Sequence, residues 1–507
     1  MPAQSQHGTP AASHLPTPRS EPTPRDLILT AKEANVWFLK SLLQSAYDYL
    51  GKPIQGAVIT VPSTFTPAQK DELREALEEA SRKLFANSTD FKVYQLLEEA
   101  AATAVVTTSE SWTNGTTLHP DRTQLVVDVG SSSLSLHLLA IRDGLFHVLG
   151  SSNTPGIGGD KIDEELIKFF AKEFTKKTKI VLDLNGKGKE DARALAKLRL
   201  ALPHTKRTLS ASPGAATCSV ESLKDGMDFT SSINRMRFDL LVRPIYTSIS
   251  SAVSSLLADL NIDAVQVDEI VYLGGTASLP GLDEHLTLSF ASNVITPFSS
   301  GTVTGGGVGD PSTVLARGCA VQGALIHSLL TSGDESDKQL FDALNGVSHT
   351  GKVTSRTISL WFPGGSEEGT YIVLLPQNTP LPARRTVQFD VSLSSSDDTC
   401  FSAELVEVEE KVNVTLSTPE KVPSSDDEDE DEEEEPEEIK TKVLSKQTLL
   451  AVIQGRAKLG IKSRSATELI TSVEAIIIAS ADLSCEVVLK EAGLGQGETV
   501  TVKLAAP

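Results

Sequence analysis

The segment Val126-Val-Asp-Val-Gly-Ser-Ser-Ser-Leu134 ends an apolar strand in Gly130, Ser131, Ser132 and Ser133 before a second apolar segment begins. Residues this small let backbone N–H groups approach an anion, and Asp128 at the strand end is placed to hold a metal-bound water. Small residues also make ordinary hairpin turns, so phosphate binding and plain turn formation both stand for this segment taken alone. Three further clusters carry the same chemistry. Gly156-Ile-Gly-Gly-Asp160, with Gly158 and Gly159, is a glycine-rich turn opening a helix; Lys206 and Arg207 are adjacent cations; Gly274-Gly275-Thr276 follows an apolar strand. Each has a bland reading as well, as turns for the glycines and solvated helix-face charge for the cations.

The elements around these residues follow from periodicity. Apolar residues at Leu39, Leu43, Ala46 and Leu50 keep a 3-4 spacing between Thr30 and Leu50, with Gly51 and Pro53 as stops, which predicts an amphipathic helix. Ala57 to Val61 is a buried-strand pattern, and Thr66-Pro-Ala-Gln69 supplies a cap, a proline at the first helical position and a capping-box glutamine. Phe91 to Leu96 predicts a strand, Leu97 to Thr107 a helix, and Gln124 to Val129, Leu134 to Ile141 and Leu145 to Leu149 a β-meander turning at Asp143-Gly144. Helices are expected at Lys161 to Phe174, Asp191 to Leu202, Ile233 to Leu260 (capped by Ser231 or Ser232) and Pro311 to Leu330, with a strand at Glu269 to Leu273. This alternation is that of an α/β domain.

Beyond the polar stretch Thr331 to Asp337 the pattern changes. Thr357 to Leu360, Tyr371 to Leu375, Thr386 to Leu393, Phe401 to Val408, Cys485 to Leu489 and Thr499 to Leu504 read as strands between Gly, Pro and Ser turns, with Thr448 to Leu459 as a helix. The organisation expected is a disordered tail over 1–25, which holds six prolines, an α/β domain over 26–330, a linker over 331–350, and a mostly β domain over 351–507 carrying an acidic disordered insertion over 417–440.

At 507 residues, 39% hydrophobic and 22% charged, the chain can bury more than one core. Its net charge is −21, and the 12 acidic residues between Asp426 and Glu438 supply more than half of that excess. Such a charge repels phosphate backbones, so direct nucleic-acid binding is not expected. The acidic run reads as a solvated loop; Ser424 and Ser425 ahead of it are phosphorylation candidates for an acidophilic kinase. Cys218, Cys319, Cys400 and Cys485 lie too far apart for a metal motif and read as buried, reduced thiols. With no apolar leader and no run of about 18 apolar residues, a cytoplasmic protein without membrane contact is expected.

Five motifs in order, Val58-Ile-Thr-Val-Pro62, Asp128-Val-Gly-Ser-Ser-Ser133, Ile157-Gly-Gly-Asp160, Lys206-Arg-Thr-Leu-Ser210 and Leu273-Gly-Gly-Thr276, resemble the DnaK-type heat shock protein 70 family over about residues 26 to 330. Gly301 to Ala324 resembles that family's last nucleotide-domain segment, and Gly369 to Pro382 its central sandwich strands. The resemblance implies an actin-like α/β nucleotide-binding domain followed by a β-sandwich that holds extended apolar peptides. It assigns nucleotide contacts to Asp128, Gly130, Ser131, Ser132, Ser133, Gly158, Gly159, Lys206, Arg207, Ser210, Gly274, Gly275 and Thr276, with no complete catalytic set.

Departures from the family pattern shape the functional expectation. Three serines stand where the family has two glycines and a threonine, Ser135 replaces a metal-associated Asp, Pro203 an adenosine-contacting Glu, and Ser278 a stacking Arg. Weakened magnesium binding and loose ATP binding without efficient hydrolysis are expected. The family's first phosphate hairpin has no counterpart before Asp26, and its helical lid none after the sandwich. The actin-like domain is therefore expected to be incomplete and the sandwich lidless, by a truncated gene reading or by abandonment of nucleotide use. The resemblance is strongest to an atypical branch of the family. It implies a heterodimer with a J-domain protein of the zuotin type, indirect contact with the ribosome, and a co-chaperone role toward nascent polypeptides. The alternatives are an active ATP-driven peptide chaperone and, lower, an actin-fold kinase.

Overall fold

The computed structural model describes residues 28–85, 91–108, 112, 118–303, 306–339, 351–363, 369–393, 400–417, 437–457, 461–463, 469–482, 484–492 and 499–504. The tail over 1–25, residues 418–436 of the expected acidic insertion with Ser424 and Ser425, and residues 340–350 of the expected linker lie outside the described residues, while the insertion's edges, Ser417 and Glu437 to Lys440, are paired strand rather than disordered loop. The chain forms two compact units, one of residues 1–57 and 64–93, the other of 58–63 and 94–507.

In the first unit, helix α1 (Ala31–Leu50) starts at a capping box in which Thr30 and Glu33 exchange hydrogen bonds and stops at Gly51, whose φ of +65° is left-handed. Val36, Leu39 and Leu43 are its buried stripe. Helix α2 (Pro67–Leu84) is opened by the Thr66–Gln69 capping box. Lys32 of α1 and Glu75 of α2 pair at 2.6 Å.

The second unit takes in most of strands β1 (Gly56–Val61) and β2 (Lys92–Glu98), which pair with each other. It continues with helix α3 (Glu99–Thr107) and the meander β3 (Asp121–Val129), β4 (Ser133–Arg142) and β5 (Leu145–Pro155). Helices α4 (Gly159–Thr178) and α5 (Lys189–Ala211) come next, then the hairpin of β6 (Ala215–Lys224) and β7 (Met227–Asn234). Helix α6 (Arg235–Asp259), strand β8 (Glu269–Leu273) and helices α7 (Pro280–Thr287) and α8 (Val314–Thr331) complete this region. The sheet order is β5-β4-β3-β8, with β3 and β8 parallel. Leu125, Val127, Leu134, Leu136 and Leu138 face a core shared with Phe170 and Phe174 of α4 and Val242 and Ile249 of α6. Val126, Leu139, Ile141, Val271 and Leu273 face Ala100 and Ala104 of α3 and Val314 of α8. Strand β3 is therefore covered on both sides, which explains its nearly unbroken apolar run.

The remaining strands make a sandwich. They are β9 (Thr357–Phe362), β10 (Thr370–Leu375), β11 (Ala383–Leu393), β12 (Cys400–Ser417), β13 (Glu437–Arg456), β14 (Lys462–Ser463), β15 (Leu469–Ala479), β16 (Cys485–Glu491) and β17 (Val500–Leu504). One sheet runs β10-β9-β12-β13 and the other β11-β15-β16-β17, with β14 on β15. Leu360, Leu405 and Ile453 of the first meet Ala475, Ile477 and Val487 of the second in one core.

Four local expectations change. Thr448 to Arg456 lies in a strand rather than a helix: pairing with β12 leaves Ile453 buried and Val452 about half exposed, a period of two concealed within the apolar run Leu-Leu-Ala-Val-Ile. Helix α5 runs through Pro203 to Ala211, and α6 starts after Asn234, whose Oδ1 accepts from the Arg237 N–H at 2.8 Å, while Ser231 and Ser232 sit in β7. Cys400 is exposed, unlike Cys218 and Cys485. Helices α6 and α8 are long and apolar enough to cross a bilayer by length and composition, though a third of each such stretch is buried within the protein.

The sandwich sits against the amino-terminal end of β3. Arg385 Nη2 donates to Asp121 Oδ2 at 2.7 Å, and Arg142 Nε donates to the Gln377 carbonyl at 2.9 Å. The long β12–β13 ribbon adds Lys440 to Asp263 at 2.8 Å, Lys442 to Asp268, and Gln266 to Glu410 at 3.2 Å. Behind this junction Glu269 is buried and accepts from Arg122 Nε, Gln124 Nε2 and Trp112 Nε1.

Candidate functional site

Three turns meet at the carboxyl-terminal ends of the parallel strands β3 and β8, where open α/β sheets bind ligands. Gly130 follows β3, and its N–H donates to the Ser133 carbonyl at 3.0 Å, closing the turn into β4. The turn ahead of α4 lies along it: N–H groups of Gly156, Gly159 and Asp160 donate to the carbonyls of Ser132, Gly130 and Ser131 at 2.8, 3.0 and 2.7 Å. A Cβ on Gly158 would stand 2.6 Å from the Ser131 carbonyl oxygen, so only glycine permits this approach. From the β8 side, Thr276 Oγ1 donates to the Gly130 carbonyl at 3.1 Å. Gly274 adopts φ +83°, where a Cβ would lie 2.4 Å from the Val129 carbonyl oxygen.

Beside these turns is a cavity of about 890 Å³, within the range of small-molecule sites. Of the residues singled out in the sequence, Gly130, Ser131, Lys206, Arg207, Ser210, Gly275 and Thr276 line it. The other six, Asp128, Ser132, Ser133, Gly158, Gly159 and Gly274, do not, and they brace the turns from behind. One face of α5 supplies Pro203, Lys206, Arg207 and Ser210, spaced as neighbours on a helix. Sequence reasoning missed Phe298, Val303 and Asp310 as lining residues, because the loops that carry them have no periodicity of their own.

The polar side chains here are largely engaged with the protein. Lys206 Nζ forms an ion pair with Asp163 Oδ1 of α4 at 2.7 Å. Ser210 Oγ donates to the Ser278 carbonyl, and Arg235 Nη2 donates to the carbonyls of Leu209, Ser210 and Ser212, securing the end of α5. Asp310 Oδ1 accepts from the N–H and hydroxyl of Ser312.

Behind the first turn, burial pushes the Asp128 carboxyl up to about 6; Glu99 adds to the shift and His137 opposes it. Glu99 and His137 were not singled out in the sequence. His137 Nε2 stands 3.8 Å from Glu99 Oε2, and its Nδ1 lies 2.8 Å from Ser151 Oγ. Ser135, opposite Asp128 in the β3–β4 register, accepts from Asn153 Nδ2 at 2.9 Å. Among the described residues no group of three His, Cys, Asp or Glu side chains suits a metal ion.

The sequence model of the Hsp70 protein family matches residues 23–360, two thirds of the chain. The chain belongs to the heat shock protein 70 family. Among its relatives, a heat shock protein 70 homolog of Schizosaccharomyces pombe is 32% identical over 436 residues, 85% of this chain and 70% of that protein. The ribosome-associated complex subunit SSZ1 of Saccharomyces cerevisiae is 28% identical over 452 residues, 88% of this chain and 75% of its own length. A ribosome-associated molecular chaperone of the same yeast is 30% identical over 357 residues, 70% of this chain and 51% of that protein.

Membership of the heat shock protein 70 family implies an actin-like nucleotide-binding domain followed by a β-sandwich, and the family generally binds ATP with magnesium. The backbone turns, the two cations of α5 and the cavity volume fit a nucleotide. The donor set does not fit a directly held magnesium ion, because the carboxylate expected at position 135 is a serine hydroxyl already paired with Asn153.

Proposed function

We propose that this chain is an atypical heat shock protein 70 that holds adenine nucleotide loosely, does not turn it over efficiently, and acts as a co-chaperone. The observation that carries this reading is the chemistry of the cavity. Its described lining residues include one carboxylate, Asp310, tied to Ser312, and its cations stand on α5 rather than on the glycine and serine turns. Phosphoryl transfer to water requires charge placed around the transferred group and a residue that orients the attacking water. Among the described residues, none that lines the cavity is arranged for either task.

The likeness to the SSZ1 subunit over most of both chains supports work in a ribosome-associated complex. In this reading the chain forms a heterodimer with a J-domain protein of the zuotin type, reaches the ribosome through that partner, and assists the folding of nascent polypeptides in the cytoplasm. The sandwich, with its separate core, is the element offered to extended polypeptide. An active ATP-driven chaperone is the second reading, favoured by the retained Gly130, Lys206, Arg207 and Gly275 around one cavity.

Calorimetry with ATP and phosphate release, with the chain alone and with a J-domain partner, separates the two. Binding without release is the expected result. Release stimulated by the partner would establish the second reading, and absence of binding would leave a scaffold.

A further inference from the structure

The cavity has two chemically different sides. On one stand the turns of Gly130, Ser131, Gly275 and Thr276, whose small residues let backbone approach an anion. On the other stand one face of α5 and the segment that leads into α7. Pro203, Ala211, Leu279, Pro280 and Phe298 make this second side largely apolar, suited to a flat ring. A nucleotide with its phosphates at the turns therefore presents its base to α5.

Adenine carries an amino donor where guanine carries a carbonyl oxygen, so a site that prefers adenine needs an acceptor at that place. The lining side chains of α5 that can hydrogen-bond are Lys206, Arg207 and Ser210, and the first two are donors only. Lys206 is already paired with Asp163 at 2.7 Å, and Ser210 Oγ donates to the Ser278 carbonyl. Arg207 is exposed and makes no ion pair among the described residues. The Ser278 hydroxyl donates or accepts with equal ease and so does not discriminate. Asp310, the carboxylate among the described lining residues, belongs to the other side: the Gly274 N–H donates to the Pro311 carbonyl at 3.1 Å, and Asp310 Oδ1 accepts from Ser312. We propose that this cavity accepts guanine as readily as adenine, with Arg207 as the donor that meets a base carbonyl and no side-chain acceptor on α5 that selects the adenine amino group. This rests on the nucleotide-binding reading above and widens its ligand class to nucleotides of either purine. Position 203, one turn before Arg207 on the same face of α5, is where a carboxylate would supply the missing acceptor, and Pro203 stands there.

The test is calorimetric titration of the full chain with ATP, GTP and inorganic tripolyphosphate at fixed magnesium concentration and ionic strength. For the wild type, ATP and GTP dissociation constants within about threefold of each other are expected, with tripolyphosphate, which has no base to seat, at least about tenfold weaker. Pro203→Glu places a carboxylate among the lining residues, and it removes a proline from a helix interior, so α5 is not weakened. It should shift the ratio toward ATP by about fivefold or more, since the carboxylate accepts from the adenine amino group and repels the guanine carbonyl oxygen. Arg207→Met should weaken GTP by about fivefold and ATP less. Circular dichroism of each variant separates a changed site from a lost fold. A larger wild-type preference for ATP, tripolyphosphate binding as tightly as the nucleotides, or an unchanged ratio in a folded Pro203→Glu variant would overturn the proposal. No binding of either nucleotide would overturn the nucleotide reading itself.

Discussion

Arg385 Nη2 lies 2.7 Å from Asp121 Oδ2, an ion pair between residues 264 positions apart that fastens the sandwich to the first residue of β3. The opposite end of the same strand runs into Gly130 at the cavity. One strand, its apolar centre buried on both faces, thus carries the turn at one end and the sandwich contact at the other. Both side chains are more than four-fifths buried, so removing one charge strands the other.

Asp121→Asn and Arg385→Gln should therefore each lower unfolding free energy by about 3 kcal/mol, with faster protease cleavage between the sandwich and the rest of the chain. Chemical denaturation of both single variants and the double variant closes a mutant cycle. A coupling of at least about 1 kcal/mol is expected, and simple additivity would show that the pair does not hold the junction.

The cluster next to this contact is more deeply buried. Glu269 neutralises Arg122 at 2.8 Å and accepts from Gln124 and Trp112, with Arg122 also donating to the Thr107 carbonyl. Glu269→Ala leaves a buried guanidinium without a counter-charge, and a loss of about 3–5 kcal/mol is expected. Trp112 is buried whereas Trp37 is more than half exposed, so a red shift of tryptophan emission at low denaturant should report the opening of this cluster. Replacing Arg122 and Glu269 together by apolar residues should recover most of the loss.

Local chemistry made much of the fold legible. The capping box at Thr66, the Asp143-Gly144 turn and the apolar run of β3 lie where their patterns placed them, whereas the Thr30–Glu33 box was not read from the sequence. What the pattern concealed was long-range: β13 is a strand because β12 pairs along its length, and the β6–β7 hairpin has no reading in the sequence except at its last residues, Ser231 to Asn234, which read as the cap and start of a helix. Motif spacing found the glycines but not their division of labour. That Gly130 and Gly275 line the cavity while Gly158 and Gly274 only permit backbone approach is decided by which carbonyl each one faces. Asp163 had no sequence signal, because its role is a contact between α4 and α5.

Glycine packing makes a sharper prediction in two places. A Cβ on Gly274 would fall 2.4 Å from the Val129 carbonyl oxygen at a left-handed φ, and one on Gly318 of α8 would fall 2.1 Å from the Ala102 carbonyl oxygen of α3. Neither neighbour is a flexible side chain, so backbone must shift. Gly274→Ala and Gly318→Ala should each destabilise by about 2–3 kcal/mol, whereas Gly51→Ala, in open space, loses about 1 kcal/mol from its left-handed cap alone. Thermal melts of the three variants test the ranking; equal effects at all three would contradict the close approach.

Asp128 gives a pH signature whose sign is fixed by burial. Its folded carboxyl is pushed up to about 6 by burial and by the facing Glu99, against the opposing influence of His137, while an unfolded aspartate titrates near about 3.9. Between those values the folded chain keeps a proton that the unfolded chain has lost, so this residue's contribution to stability falls as pH rises from about 4 to about 6 and stays low above that. A shift of about two units corresponds to about 3 kcal/mol, an order-of-magnitude figure. Asp128→Asn cannot ionise and retains the shape of the side chain. The variant should therefore be more stable than wild type at about pH 7, by an amount approaching that value, and equal to it near pH 4. Denaturant midpoints of the two proteins measured across this range settle the matter, since a difference that is constant with pH, or that grows toward acid, would mean the buried carboxyl is not the group titrating.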